Sequence, residues 1–382
     1  MMTVSLITDL LRSSNPGKLR RTAWCLSGGL PGRVRAGLLL LLLAAFATQS
    51  SYAVSCTTQS QMTAGERDEL AAGVMRLVGY AIAGDAQSLR AATLPSVAAQ
   101  FDGISSTVKA LAPALKGATA TIENLYLLHA EDLKAGDDEA QFFCSVAGSA
   151  MLVTISIPDL PAGTYALAIV HVTGVEKPQQ FGMIVARGAG KTAQITKDGA
   201  AASGPPAIPG PWELAGFFAR PLDMAGHDGV WYWTRARELA KAQQRWSAYF
   251  YYRTAQLLLT PVDFLSSPNL SKLERETAGV KPDGLPGPDG TQVMTLADGD
   301  QSFAITSLRT DGSFGGLDLV IHYNANAGNV DPVFARTQAV LLMRAMLKQH
   351  AELRANFHGL WVFADSPGHD PYAIELPMGQ IQ

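Results

Sequence analysis

Thr119-Ala120-Thr121-Ile122-Glu123-Asn124-Leu125-Tyr126-Leu127-Leu128-His129 is the stretch at which the chain changes its period. Upstream, apolar residues recur at helical spacing. Leu70, Val74, Leu77, Val78 and Ile82 follow a capping-box-like start, Thr63-Ala64-Gly65-Glu66, and the pattern ends at Gly84-Asp85. A short helix over 85–92 and another over 97–115 follow, punctuated by Pro95 and Gly117. From Thr119 onward alternation takes over. Strands are expected near 119–129, 139–146, 151–157, 164–173, 180–186 and 212–218, separated by Gly, Pro and Asp. Helices first and antiparallel strands after them predict an α+β layer.

Composition agrees with a packed protein. With 47% hydrophobic and 16% charged residues in 382, the chain is neither disordered nor fibrous and can bury more than one core. A formal charge of -3 offers no basic stripe to neutralise phosphates, so nucleic acid is not an expected partner.

The N-terminus reads as an address. Arg12, Lys18, Arg20, Arg21, Arg33 and Arg35 stand against the single acid Asp9, and an uncharged apolar run from Ala36 to Thr48 follows. At about 1.5 Å per residue that run falls short of the roughly 30 Å a membrane-spanning helix must cross. A signal peptide over 1–53 fits better than an anchor, although an uncleaved anchor is the alternative. Ser51-Tyr52-Ala53 offers small residues for cleavage, whereas Ala53-Val54-Ser55-Cys56 resembles a lipobox whose cysteine would be lipidated. The expected location is therefore periplasmic or extracellular, with a membrane-anchored lipoprotein as alternative. Cys25 falls within the leader, leaving Cys56 and Cys144, which in an exported chain are most simply a disulfide. Lipidation of Cys56 would orphan Cys144, so the two readings exclude each other.

Two short motifs carry a resemblance. Ala81-Ile82-Ala83-Gly84-Asp85-Ala86-Gln87-Ser88-Leu89-Arg90 resembles the first helix and turn of SnoaL-like, cystatin-like α+β cones, relatives of nuclear transport factor two, and Trp212-Glu213-Leu214-Ala215-Gly216-Phe217-Phe218 resembles their closing strand. The resemblance spans the ends of 63–220 and implies a helix-lidded antiparallel curved sheet around a pocket, which in that family serves as enzyme site, ligand cavity or core. Between those ends, Leu160-Pro161-Ala162-Gly163-Thr164-Tyr165-Ala166-Leu167 instead resembles a turn and strand of surface β-sandwiches. As a whole the chain resembles secreted bacterial proteins.

Beyond 54–222, the section 223–280 reads as a helical hairpin. Tyr232, Ala236, Ala248, Tyr252 and Ala255 are similar to the small and aromatic positions of one tetratricopeptide helix pair. Its aromatics are dense, and Trp231, Trp233, Trp246 and Tyr249 are a candidate binding surface, with core packing as the plainer account. The Gly- and Pro-rich stretch 281–290 is a linker, and 291–382 reads as a small ββαββ layer whose helix opens at Asp331-Pro332.

Chemistry is sparsely signalled. Gly188-Ala189-Gly190-Lys191-Thr192 has Val185 where a phosphate loop needs its first glycine, and reads as a turn. The chain has no Gly-x-Ser-x-Gly elbow, no His-Glu-x-x-His and no cysteine pair at zinc spacing. Asp263, Asn269 and the carboxylates of 273–276 read as a helix end, and Asp283, Asp289, Asp298 and Asp300 do not space a calcium loop. No cofactor and no metal ion are expected. Gly226-His227-Asp228 and Gly368-His369-Asp370 read as capped loops. Alternation places Glu123 and His129 on one strand face and His171 on another, and if both faces line one pocket an acid and two histidines could meet there, where burial would shift their pKa values and permit general-base chemistry.

Three functions remain after this reading. The first is a non-enzymatic envelope protein that binds, or assembles, a protein or glycan partner and meets the membrane only through its leader or a lipidated Cys56. The second is a small-molecule hydrolase or isomerase using Glu123, His129 and His171 in a SnoaL-like pocket. The third is a carbohydrate-binding surface on the aromatic hairpin.

Overall fold

The computed structural model describes residues 54–133, 139–145, 152–188, 210–288, 290–325 and 331–382, so the leader 1–53 and the Gly190-Lys191-Thr192 turn lie outside the described residues. The fold is α+β. Strand β1 (Ser55–Thr58) is followed by α1 (Ala64–Ala83), α2 (Ala86–Ala91), α3 (Pro95–Ala98) and α4 (Asp102–Leu111). Thr63 and Glu66 close a capping box, each side chain holding the other's backbone N–H, and Gly84 ends α1 at φ 72°, the left-handed conformation that glycine adopts without steric cost. The helix expected over 97–115 forms as two, α3 and α4, with the buried Phe101 between them.

Six strands follow: β2 (Thr119–His129), β3 (Glu139–Ser145), β4 (Leu152–Pro158), β5 (Thr164–Thr173), β6 (Gln179–Arg187) and β7 (Trp212–Pro221). They do not make one sheet. β1, β2, β5, β6 and β7 form a five-stranded antiparallel sheet in the order β1-β2-β5-β6-β7, while β3 and β4 pair with each other and with β10 (Leu265–Ser266). Burial explains the split. β5 and β6 are apolar on both faces: Ala166, Ala168 and Val170 pack with Leu70, Val74 and Leu77 of α1, and Leu167 and Ile169 pack with Phe142 and Ile155 of the second sheet. β3 alternates strictly, with Ala140, Phe142 and Cys144 buried and Phe143 58% exposed, as an outer layer must. Cys56 on β1 and Cys144 on β3 form a disulfide that ties the two sheets together.

Past a two-stranded ribbon, β8 (Asp223–Met224) and β9 (His227–Asp228), come α5 (Gly229–Lys241), α6 (Arg245–Leu259) and α7 (Pro268–Val280). The C-terminal sheet runs β11-β12-β13-β14-β15, from β11 (Met294–Asp298), β12 (Gln301–Asp311) and β13 (Asp318–Asn324) through α8 (Pro332–Gln349) and α9 (Leu353–Asn356) to β14 (Gly359–Asp365) and β15 (Tyr372–Pro377). The expected ββαββ layer thus gains an edge strand, β11. β13 and β14 are parallel, so the chain must cross between them, and α8 makes that crossing. Tyr232, Phe250 and Leu258 of the hairpin share one core with Leu319, Ile321, Leu342, Met346, Leu360 and Val362. The hairpin therefore covers the inner face of the C-terminal sheet together with α8. None of the described helices is long and apolar enough to cross a membrane.

Candidate functional site

Strand alternation decides what the C-terminal sheet presents outward. Leu319, Ile321 and Tyr323 on β13 and Leu360, Val362 and Ala364 on β14 point into the core, so Asp318, Val320 and His322 share the other face with Gly359, Trp361, Phe363 and Asp365. Register brings Asp311 and Arg309 of β12 to one flank of that face and Glu375 of β15 to the other.

Rings run across it as a ladder. Phe314, in the β12–β13 turn and 46% exposed, meets Trp361 edge-to-face with centroids 5.0 Å apart. Trp361 lies 4.9 Å from Phe363, and Phe363 stacks on the His322 imidazole at 4.5 Å, nearly parallel. His322 Nδ1 is in turn 3.1 Å from an Asp365 carboxylate oxygen. Val320 is fully buried although it faces outward, flanked in register by Arg309 and Trp361. The ladder thus covers apolar surface and also presents half-buried ring faces bordered by an arginine, an imidazole and carboxylates.

At the Trp361 end sits a cluster of acid and imidazole groups. His358, just before β14, places Nδ1 2.9 Å from Asp318 Oδ1 and 3.9 Å from Glu375 Oε1. The Asp318 side chain has no exposed surface and Glu375 is nearly covered. Asp318 Oδ2 and Glu375 Oε1 are both buried without a hydrogen-bond partner. Burial pushes the Asp318 carboxyl above the usual carboxylate range, and nearby Asp311 adds to the rise that His358 only partly offsets. Burial and the neighbouring Asp318 push Glu375 up as well.

The sign of the pH effect follows. Both carboxyls hold their protons more tightly folded than unfolded, so their contribution to stability is fully present below about pH 4 and is lost as pH rises through their raised values. Compared with the double variant Asp318→Asn/Glu375→Gln in metal-free buffer, the wild-type protein is expected to lose thermal stability as pH rises from 4 towards neutrality. Two parallel curves of midpoint against pH would contradict the assignment.

The residues singled out in the sequence lie elsewhere. Glu123 Oε2 comes to 4.0 Å of His171 Nδ1, and His171 Nε2 to 3.3 Å of Gln180 Oε1. A bulge at 122–124 brings Glu123 round to the His171 face. His129 does not join them. It pairs in register with Thr164 while His171 pairs with Thr121, so about seven residues of β5, or roughly 23 Å of strand, separate the two histidines. His129 stands instead beside Glu131, at 3.6 Å.

The hairpin aromatics are largely engaged internally. Trp233 donates to Glu276 at 2.7 Å and lies under the Arg237 guanidinium, Trp246 stacks on His350 at 3.7 Å, and Tyr249 packs beside Phe250. Trp231 is exposed but is stacked on His227, whose neighbour Asp228 caps α5 through the Trp231 N–H. His358, Asp318 and Glu375 were missed in the sequence. The available signal was Asp318 itself, an acid inside the apolar run Leu317-Asp318-Leu319-Val320-Ile321. No protein-family model, curated protein or solved structure matches this chain.

Proposed function

We propose that this is an exported, non-enzymatic binding protein, and that an extended neutral glycan lies across the outer face of its C-terminal sheet. The ring ladder from Phe314 through Trp361 and Phe363 to His322 is the observation that carries this reading. Aromatic faces stack against the apolar faces of sugar rings, and the bordering Arg309 and Asp365 supply donors and acceptors for hydroxyl groups. The excess of carboxylates over Arg309 on this face disfavours an anionic ligand. The basic leader and the Cys56–Cys144 disulfide support export. In this reading the N-terminal layers, whose sequence motifs at 81–90 and 212–218 resemble those of SnoaL-like cones, and the helical hairpin are scaffold.

The test is calorimetric titration with soluble chito- and cello-oligosaccharides. Trp361→Ala is expected to weaken binding about tenfold or more while Trp246→Ala leaves it unchanged. A panel in which no oligosaccharide binds, or in which Trp361→Ala binds as wild type, would contradict the proposal. The Glu123–His171 contact favours a second reading, hydrolysis or isomerisation of a small molecule at that end of the five-stranded sheet. Under the binding account, His171→Ala leaves glycan binding untouched.

A further inference from the structure

We propose that Asp318, His358 and Glu375 form a binding site for a divalent transition-metal ion of the Zn²⁺ class. One ligand atom from each residue lies within 4.8 Å of the other two, from three separate places in the chain: the start of β13, the turn before β14, and β15. Around an ion with bonds of about 2.1 Å, ligand atoms sit about 3.4 Å apart. The present 2.9 Å His358–Asp318 contact must open by a few tenths of an ångström and Glu375 must swing inward to match.

Proximity alone would not make a site. The independent observation is the unpartnered Asp318 Oδ2, on a side chain wholly removed from water, in the same three-residue cluster as Glu375, whose Oε1 is also buried without a hydrogen-bond partner. A buried carboxylate oxygen without a donor is costly, and two such carboxylates in one cluster cost more. A cation answers both at once. The one nitrogen and two carboxylates suit Zn²⁺, with Mn²⁺ second, over Mg²⁺ and Ca²⁺, which take all-oxygen shells. The backbone has also left room for the group. A side chain at Gly359 would meet Glu375 Oε1, the Leu376 carbonyl and Asp318 Oδ1, and one at Gly316 would collide with His358. Three protein ligands leave coordination positions open to water.

The full chain, free of any affinity tag and stripped with EDTA, would be titrated calorimetrically with Zn²⁺, Mn²⁺, Mg²⁺ and Ca²⁺ in parallel. One equivalent of Zn²⁺ is expected to bind, more tightly than the other three. Glu375→Gln and His358→Ala are expected to lower the affinity at least tenfold and Asp318→Asn to abolish it, while His129→Ala and His171→Ala bind as wild type. Circular dichroism would establish that each variant is folded. Should Asp318→Asn fail to fold, the partly exposed Glu375 and His358 variants carry the test. A folded wild-type chain that takes up no stoichiometric Zn²⁺ would overturn the proposal. Equal binding by wild type, Glu375→Gln and His358→Ala would overturn it too, placing the ion elsewhere.

Discussion

Replacing Cys56 and Cys144 together by serine is expected to lower the unfolding free energy by about 2–4 kcal/mol. The two cysteines are 88 residues apart, so their bond closes a long loop and removes much of the freedom of the unfolded chain. It also joins β1, an edge strand of the five-stranded sheet, to β3, an edge strand of the three-stranded sheet. Among the described residues the two strands are not paired in one sheet, Thr58 on β1 donates to the Ser145 carbonyl on β3 at 3.5 Å, and Cys144 is fully buried in the layer between them. Denaturant midpoints of wild type, wild type with a reductant, and the double variant would check it. The account predicts that the second and third agree and lie below the first. Three coincident midpoints would mean that the sheets hold without the bond, and a wild-type chain carrying free thiols would remove the main structural support for export.

Gly359→Ala is expected to cost about 1–3 kcal/mol. In an ordinary strand interior this change gains about 0.5–1 kcal/mol, because alanine surrenders less backbone freedom than glycine. Here the sign reverses. The new Cβ would stand 2.5 Å from Glu375 Oε1, 2.6 Å from the Leu376 carbonyl oxygen and 3.0 Å from Asp318 Oδ1. Glu375 can rotate away, but the carbonyl belongs to the β14–β15 ladder and cannot retreat without opening the Gly359–Pro377 pairing. The midpoint of chemical unfolding reads the cost. A variant as stable as wild type would show that Asp318 and Glu375 do not close over Gly359 as described.

Local chemistry was legible in the sequence, and long-range pairing was not. The capping box at Thr63, the stop at Gly84, the Asp331 cap and the strands themselves are written in neighbouring residues, so the period change at Thr119 suffices for an α+β fold. Alternation cannot say which strand pairs with which. The second sheet that β3 and β4 form is completed by β10, a two-residue strand more than a hundred residues further on. The candidate site was hidden for the same reason. Asp318 and His358 are 40 residues apart, and although Asp318 stands out inside an apolar run, nothing near it in the sequence names its partner. Trp361 and Phe363 sit in Gly359-Leu360-Trp361-Val362-Phe363-Ala364-Asp365, which is apolar on both faces and so reads as an entirely buried strand. The catalytic expectation met a different obstacle. Strict alternation would keep Glu123 and His129 on one face, but the bulge at 122–124 moves Glu123 to the opposite face and so separates it from His129.

The outer face of the C-terminal sheet is the centre of this account, and amide hydrogen exchange measured with and without a bound oligosaccharide tests it most directly. The account predicts that added protection is confined to peptides spanning 309–323 and 357–377, with 229–259 and 119–129 unchanged. Protection concentrated on the hairpin, or on the Glu123–His171 end of the five-stranded sheet, would contradict it.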